Sequence, residues 1–127
     1  MKTNLHELEM LMQRFSRSFL NADQAGLRSC VTGDFEWHLH AGPDAPDGRI
    51  VRGVDAMLAV IRWRRANWLD VRYQDVDFTY TDHLVVQTFR IMGADQHSKR
   101  FDCRGVDLYE VRYGRLARKD SFWKHIF

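Results

Sequence analysis

The sequence predicts an α+β domain in which helices come first and then pack on the concave face of a curved, mainly antiparallel sheet. Three observations carry this. Apolar residues recur every three or four positions near the start and over 54–68, then every second position from 71 onward. The turns between the later runs are too short for crossovers, so neighbouring strands must run antiparallel. The length, 127 residues, suits one domain that buries roughly two-thirds of its unfolded surface without a disulfide or metal. A strongly bent sheet covered by helices makes a cone, and a cone has an open mouth where a pocket belongs.

The elements follow in order. Asn4 caps a first helix, with Glu7 three residues on, and Leu5, Leu8, Met12, Phe15 and Phe19 share one face. Asn21-Ala22-Asp23 interrupts it, and a shorter helix fits Gln24 to Val31. Gly33-Asp34 then turns the chain into Phe35–His40, a strict alternation of apolar and polar residues and so a strand. Gly42 to Gly48 holds both prolines and reads as a surface loop. Val54 to Trp68 makes the last helix, with Val54, Met57, Leu58, Ile61 and Trp68 on one side. Arg62, Arg64 and Arg65 fill much of the rest. Four strands close the chain at Val71–Tyr80, Leu84–Met92, Arg100–Arg112 and Leu116–Trp123.

Nineteen Lys and Arg against 17 Asp and Glu leave a formal charge of +2, too balanced for a dedicated nucleic-acid binder. The cluster Arg62-Trp63-Arg64-Arg65 therefore reads as a solvated helix face. No run approaches the roughly 18 apolar residues of a membrane span, and no apolar leader follows Met1-Lys2-Thr3-Asn4. The expectation is one soluble, cytoplasmic domain over residues 1–127, with neither membrane nor nucleic acid as partner. Cys30 and Cys103 form no CxxC pair and read as reduced thiols. No Gly-rich phosphate loop or HExxH is present, so no cofactor is implied. Eight Phe, four Tyr and four Trp mean a heavily packed core or a ring-lined pocket.

Three segments carry a family resemblance: Gly105-Val106-Asp107-Leu108-Tyr109-Glu110-Val111, Gly114-Arg115-Leu116 and Lys119-Asp120-Ser121-Phe122-Trp123-Lys124. Gln13-Arg14-Phe15, Gly33-Asp34-Phe35-Glu36-Trp37 and Gly53 agree with them at the front. With the order of elements, these resemble the nuclear transport factor 2-like superfamily, and within it the SnoaL-like polyketide cyclase and ketosteroid isomerase branch. The resemblance implies a cone-shaped fold with a small-molecule pocket. The fold hosts isomerases, cyclases, hydrolases and non-enzymatic binders, so it implies no single reaction.

Asp107 is the sharpest candidate. Its strand face also carries Phe101, Cys103, Gly105, Tyr109 and Val111, and desolvation among such neighbours favours a neutral acid able to donate to an oxyanion. The resemblance places the oxyanion-binding acid of ketosteroid isomerases at this position. It also places that family's tyrosine at Phe15 and its carboxylate base at Leu39. Neither residue can serve, which argues against steroid-type isomerisation.

His38 and His40 stand two apart on a strand and so share a side; no third metal ligand accompanies them. His40, at the strand end, is the candidate acid or base if the chain turns it inward. SnoaL-like cyclases carry a carboxylate on the last strand, which suggests Asp120, but the ungapped count from Gly114 lands on Ser121. One residue reverses the face, so Lys119, Ser121 and Trp123 take the pocket side and Asp120 the other. The catalytic candidates are Asp107, His40, Ser121 and Asp120. The candidate ligand wall is Phe15, Phe19, Trp37, Trp63, Phe89, Cys103, Tyr109, Lys119 and Trp123, with Tyr73 and Phe78 among the rings able to join it.

Function follows as an expectation. The protein is a small-molecule enzyme moving a proton on an apolar or aromatic, carbonyl-bearing ligand, or else a non-catalytic binding or accessory module on the same cone. A general base inside the pocket separates the two. The outer face of Arg100–Arg112 has Val106 and Leu108 at its centre and charges at its ends. That pattern, and the habit of the family it resembles, imply a homodimer through this face.

Overall fold

The computed structural model describes residues 4–127; Met1-Lys2-Thr3 lie outside them. The order is α1 (Leu5–Leu20), α2 (Gln24–Cys30), β1 (Val31–Leu39), β2 (Arg49–Arg52), α3 (Gly53–Asn67), β3 (Leu69–Tyr80), β4 (Leu84–Ala94), β5 (Arg100–Arg112) and β6 (Arg115–Trp123). Asn4 Oδ1 accepts the Glu7 N–H at 2.8 Å and starts α1. The helix turns Leu8, Leu11, Met12 and Phe15 inward, whereas Leu5, in the first turn, is exposed. Helix α2 docks closely on α1 because Gly26 has no side chain. A Cβ there would stand 2.2 Å from Ser18 Oγ.

The six strands form one sheet in the order β2-β1-β6-β5-β4-β3. Every neighbouring pair is antiparallel except β1 with β6. That parallel pair requires a long connection, and here nearly the whole chain between β1 and β6 provides it. Strands β3 to β6, joined by short turns, are mutually antiparallel. Phe35, Trp37, Val85, Tyr109 and Leu116 from the concave side join Met57, Leu58 and Ile61 of α3 in one core.

Two local expectations give way. Gly33-Asp34 does not turn the chain: β1 already starts at Val31, and the pair sits in a register shift between Val31 and Glu36. Strand β2, which pairs with β1, is four residues long, too short for alternation to mark it in the sequence. Asp70 and Asp75, both at φ +54, stand at the two register shifts of β3. Such bulges bend a strand, and aspartate tolerates the left-handed region better than most residues. Tyr73 and Phe78 pair with Ile91 and Gln87 and so face the concave side. Among the described residues, no helix is long and apolar enough to cross a membrane.

Candidate functional site

Strand β5 alternates cleanly, and this positions the site. Cys103, Gly105, Asp107, Tyr109 and Val111 take the concave face, and the register sets Asp107 between Gln87 of β4 and Ser121 of β6. Gly105 keeps this wall flat, because a Cβ there would stand 2.4 Å from the Phe89 ring. Asp107 is 5% exposed and Lys119 7%, which is rare for charged residues unless they are paired. They are paired: Lys119 Nζ lies 3.4 Å from Asp107 Oδ2 and donates to the Tyr109 hydroxyl at 3.1 Å. That hydroxyl has Gln87 Oε1 at 3.0 Å and Asp107 Oδ2 at 3.5 Å. Its single proton is better placed for Gln87. Asp107 Oδ1 is buried and has no partner among the described residues.

The surroundings are aromatic. Lys119 Nζ is 4.1 Å from the centre of the Phe19 ring and 5.3 Å from that of Trp37, close enough for the ring faces to stabilise the ammonium. Burial still lowers the Lys119 pKa from its ordinary value, Arg64 lowers it further, and Asp107 works against both. Burial also holds the Tyr109 phenol well above its usual range, with the Asp107 charge adding to the effect. The expected lone acid among apolar groups is thus corrected: Asp107 has a cationic neighbour, supplied by the adjacent strand β6.

Phe15, Phe19, Tyr109 and Lys119 line a chamber of about 210 Å³ together with Asp107, Gln87, Tyr73, Val76 and Phe78. A second chamber of about 270 Å³ shares Phe19, Leu20 and Tyr73 with the first and continues to Ile61, Arg64 and Trp68. The two make one groove between α1, α3 and the curled β3.

Other predicted residues lie elsewhere. Trp37 is fully buried beneath the groove, its Nε1 donating to Ser121 Oγ at 3.0 Å. Ser121 therefore faces inward but is already engaged. Phe89 is on the concave face, over Gly105 and packed against Tyr73. Asp120 pairs in register with Leu108 and His38, on the outer face, so the structure does not bring it to the chamber. The two histidines part company. His38 stays on the outer face, with Nε2 3.0 Å from Glu36 Oε1. His40 lies past the end of β1, free of its alternation, and stacks on Trp123 at 3.6 Å between ring centroids. Its pKa falls to about 4, chiefly from burial and then from Arg64 and His125. His40, Cys103 and Trp123 line a separate hollow, and Trp63 a neighbouring one; none lines the Asp107 chamber.

Sequence reasoning missed Gln87 and Arg64. Gln87 needs the strand register to be seen. Arg64 was legible: it falls three residues after Ile61 and four before Trp68, on the apolar stripe of α3. Among the described residues, no three His, Cys, Asp or Glu side chains converge as a metal site would need.

Residues 12–119 match the SnoaL-like domain. The chain belongs to that family. Among solved structures, a nuclear transport factor 2-like protein from Burkholderia xenovorans LB400 superposes with a TM-score of 0.80 at 17% identity, covering 95% of this chain and 92% of the other. A proposed polyketide cyclase from Xanthomonas campestris pv. campestris gives 0.75 at 16%, over 96% and 93%. A protein with a ketosteroid isomerase-like fold from Catenulispora acidiphila, solved with trimethylamine, gives 0.70 at 11%, over 90% and 85%. At these identities the likeness establishes the fold alone. No curated protein matches this chain.

Proposed function

We propose that this SnoaL-like protein admits an apolar, carbonyl-bearing small molecule to the groove and moves a proton on it, as a cofactor-independent isomerase or cyclase. One observation carries the reading: Asp107 Oδ1, buried in an apolar chamber, lacks a hydrogen-bond partner among the described residues. An unpaired buried acceptor is costly, and a ligand group would complete it. The fold relative solved with trimethylamine and the proposed cyclase support a small-molecule role.

The chemistry then follows from the neighbours. Asp107 takes a proton from the carbon beside the substrate carbonyl, and the electron pair moves onto the carbonyl oxygen. The Lys119 ammonium, no longer facing a charged carboxylate, stabilises that oxyanion in a low-dielectric site. Return of the proton to a different carbon completes an isomerisation. Attack of the enolate carbon on a second carbonyl closes a ring instead: the π electrons of that carbonyl pass to its oxygen, which takes the proton back from Asp107.

The test is hydrogen–deuterium exchange at the acidic carbon of 2-tetralone, followed by NMR in heavy water. The wild-type protein is expected to accelerate exchange above buffer, and Asp107→Asn to lose about a hundredfold of that acceleration, the low end of general acid–base contributions. A second reading, a non-catalytic binder, is favoured by one feature: Lys119, Tyr109 and Gln87 satisfy one another without any ligand. Saturable binding of 2-tetralone with no faster exchange would select it.

Assembly belongs to the same proposal. The outer face of the sheet leaves Val86, Val106 and Leu108 half-buried and Phe122 exposed, an apolar strip that a second copy would cover isologously. Around it, Asp102 and Glu110 are held by Arg90 and Arg118, while Arg104 remains for a cross-pair. Light scattering is expected to give twice the 15.0 kDa chain mass, and Leu108→Glu to return the monomer.

A further inference from the structure

The second chamber is built around a cation without a counter-ion. Arg64 Cζ sits 4.6 Å from the ring centre of Trp68, 5.0 Å from Trp37 and 5.5 Å from Trp123. Three indole faces stabilise a positive charge, but they are poor acceptors for the five N–H donors of a guanidinium. Among the described residues that guanidinium makes no hydrogen bond and no ion pair. Five other arginines, at positions 28, 52, 90, 112 and 118, each hold a carboxylate. Arg64, turned from α3 into the groove, has none. Asp107, whose charge reaches Arg64, is already held by Lys119.

A half-buried charge left without a counter-ion is costly, and Arg64 lines two open hollows, the second chamber and the one that holds Trp63. Arg64 lines the chamber that adjoins Asp107 through Phe19, Leu20 and Tyr73. Arg65 stands exposed on the same chamber and adds a second positive charge. The rest of that wall is apolar or aromatic. A planar fork of donors on aromatic supports fits the two oxygens of a carboxylate.

We infer that Arg64 binds a carboxylate of the ligand, so that the molecule taken up is an organic acid with an apolar ring body. Its anionic end lies at Arg64, its rings cross Phe19 and Tyr73, and its carbonyl end reaches Asp107. This rests on the proposed use of the groove for an apolar small molecule and names the class of that molecule.

A matched pair of probes tests it: 2-naphthoate, and 2-acetonaphthone as its uncharged counterpart, titrated into the wild-type protein by calorimetry. Naphthoate is expected to bind at least tenfold more tightly. Arg64→Met keeps an apolar stem beneath the indoles, and it should erase that preference while changing the affinity for the ketone by less than twofold. Equal or weaker binding of naphthoate to the wild type overturns the inference, whatever the variant does. Equal weakening of both probes in Arg64→Met assigns Arg64 a packing role and overturns it as well. Failure of both probes to bind at 1 mM overturns the use of the groove itself; binding of the ketone alone leaves that use standing and removes only the anion.

Discussion

At one end of the groove a buried ammonium, Lys119, has a carboxylate 3.4 Å away and a phenol at 3.1 Å. At the other end a guanidinium, Arg64, stands among three indoles with neither. Both cations owe part of their stabilisation to ring faces, and burial lowers the pKa of each. The difference is in what remains unfilled. Beside Lys119 the open valence is an acceptor, Asp107 Oδ1; at Arg64 it is a set of donors. A ligand with a proton to give at one end and an anion at the other would complete both.

This contrast predicts unequal costs for removing the two charges. Lys119→Met strands Asp107 as a buried carboxylate without its cation, and breaking such a pair costs about 3–5 kcal/mol. That is a large share of the roughly 5–15 kcal/mol that keeps a domain folded. Arg64→Met strands no carboxylate: it loses cation–π contacts worth about 1–2 kcal/mol, and relief of the uncompensated charge offsets part of that loss. Urea unfolding of the two variants measures the comparison directly. The double variant Lys119→Met/Asp107→Leu should recover most of the loss, because the orphaned charge is gone. Equal destabilisation by the two single variants would mean that the groove does not distinguish its cations as described.

The next effect in size comes from His40, at the Arg64 end. Its imidazole stacks on Trp123, and its pKa is depressed from 6.5 to about 4 by burial, Arg64 and His125. The sign follows from the depression. Above pH 6.5 both folded and unfolded chains carry the neutral ring, and no stability is lost. As pH falls from there towards 4, the unfolded chain takes the proton first, and stability drops until the folded ring also titrates. Each pH step of one over which only the unfolded chain holds the proton is worth about 1.4 kcal/mol, so the loss between pH 7 and 5 is at most about 2 kcal/mol. His40→Phe keeps the stacking and removes the proton site. Its unfolding midpoint should vary less between those two pH values than that of the wild type. Identical pH dependence in both proteins would place His40 in water rather than under the rings.

How far the sequence reached can be judged from the same residues. The cone was legible because its signals are local: the period of α1 and α3, the alternation of β5, and turns too short for crossovers. The inward face of Asp107 and Lys119 followed from that alternation. Their partnership did not, since it depends on register across β5 and β6, and nothing in the spacing shows which side chains meet. His40 escaped because a strand end is not bound by the alternation of the strand. Arg64 escaped for a different reason: a charge within a basic run reads as solvated, although its place on the stripe of Ile61 and Trp68 pointed inward. Strand β2 and the irregular start of β1 lie below the length at which periodicity speaks.

The smallest effect is predicted for Asp120, and it separates the two faces of β6. Asp120 precedes Ser121 and follows Lys119, so a carboxylate lies next in sequence to the chamber. Its neighbours are nevertheless those of the outer face, Leu108 across β5 and His38 across β1. Burial raises its pKa, and the fields of His38 and Arg118 oppose that rise, but none of these groups lines the chamber that holds Asp107. Asp120→Asn should therefore leave 2-tetralone exchange within twofold of wild type, where Asp107→Asn loses about a hundredfold. The comparison holds substitution chemistry constant and changes only the direction of the side chain. A loss at Asp120 approaching that at Asp107 would mean that β6 shifts by one residue when a ligand binds, since only such a slip carries Asp120 to the inner face.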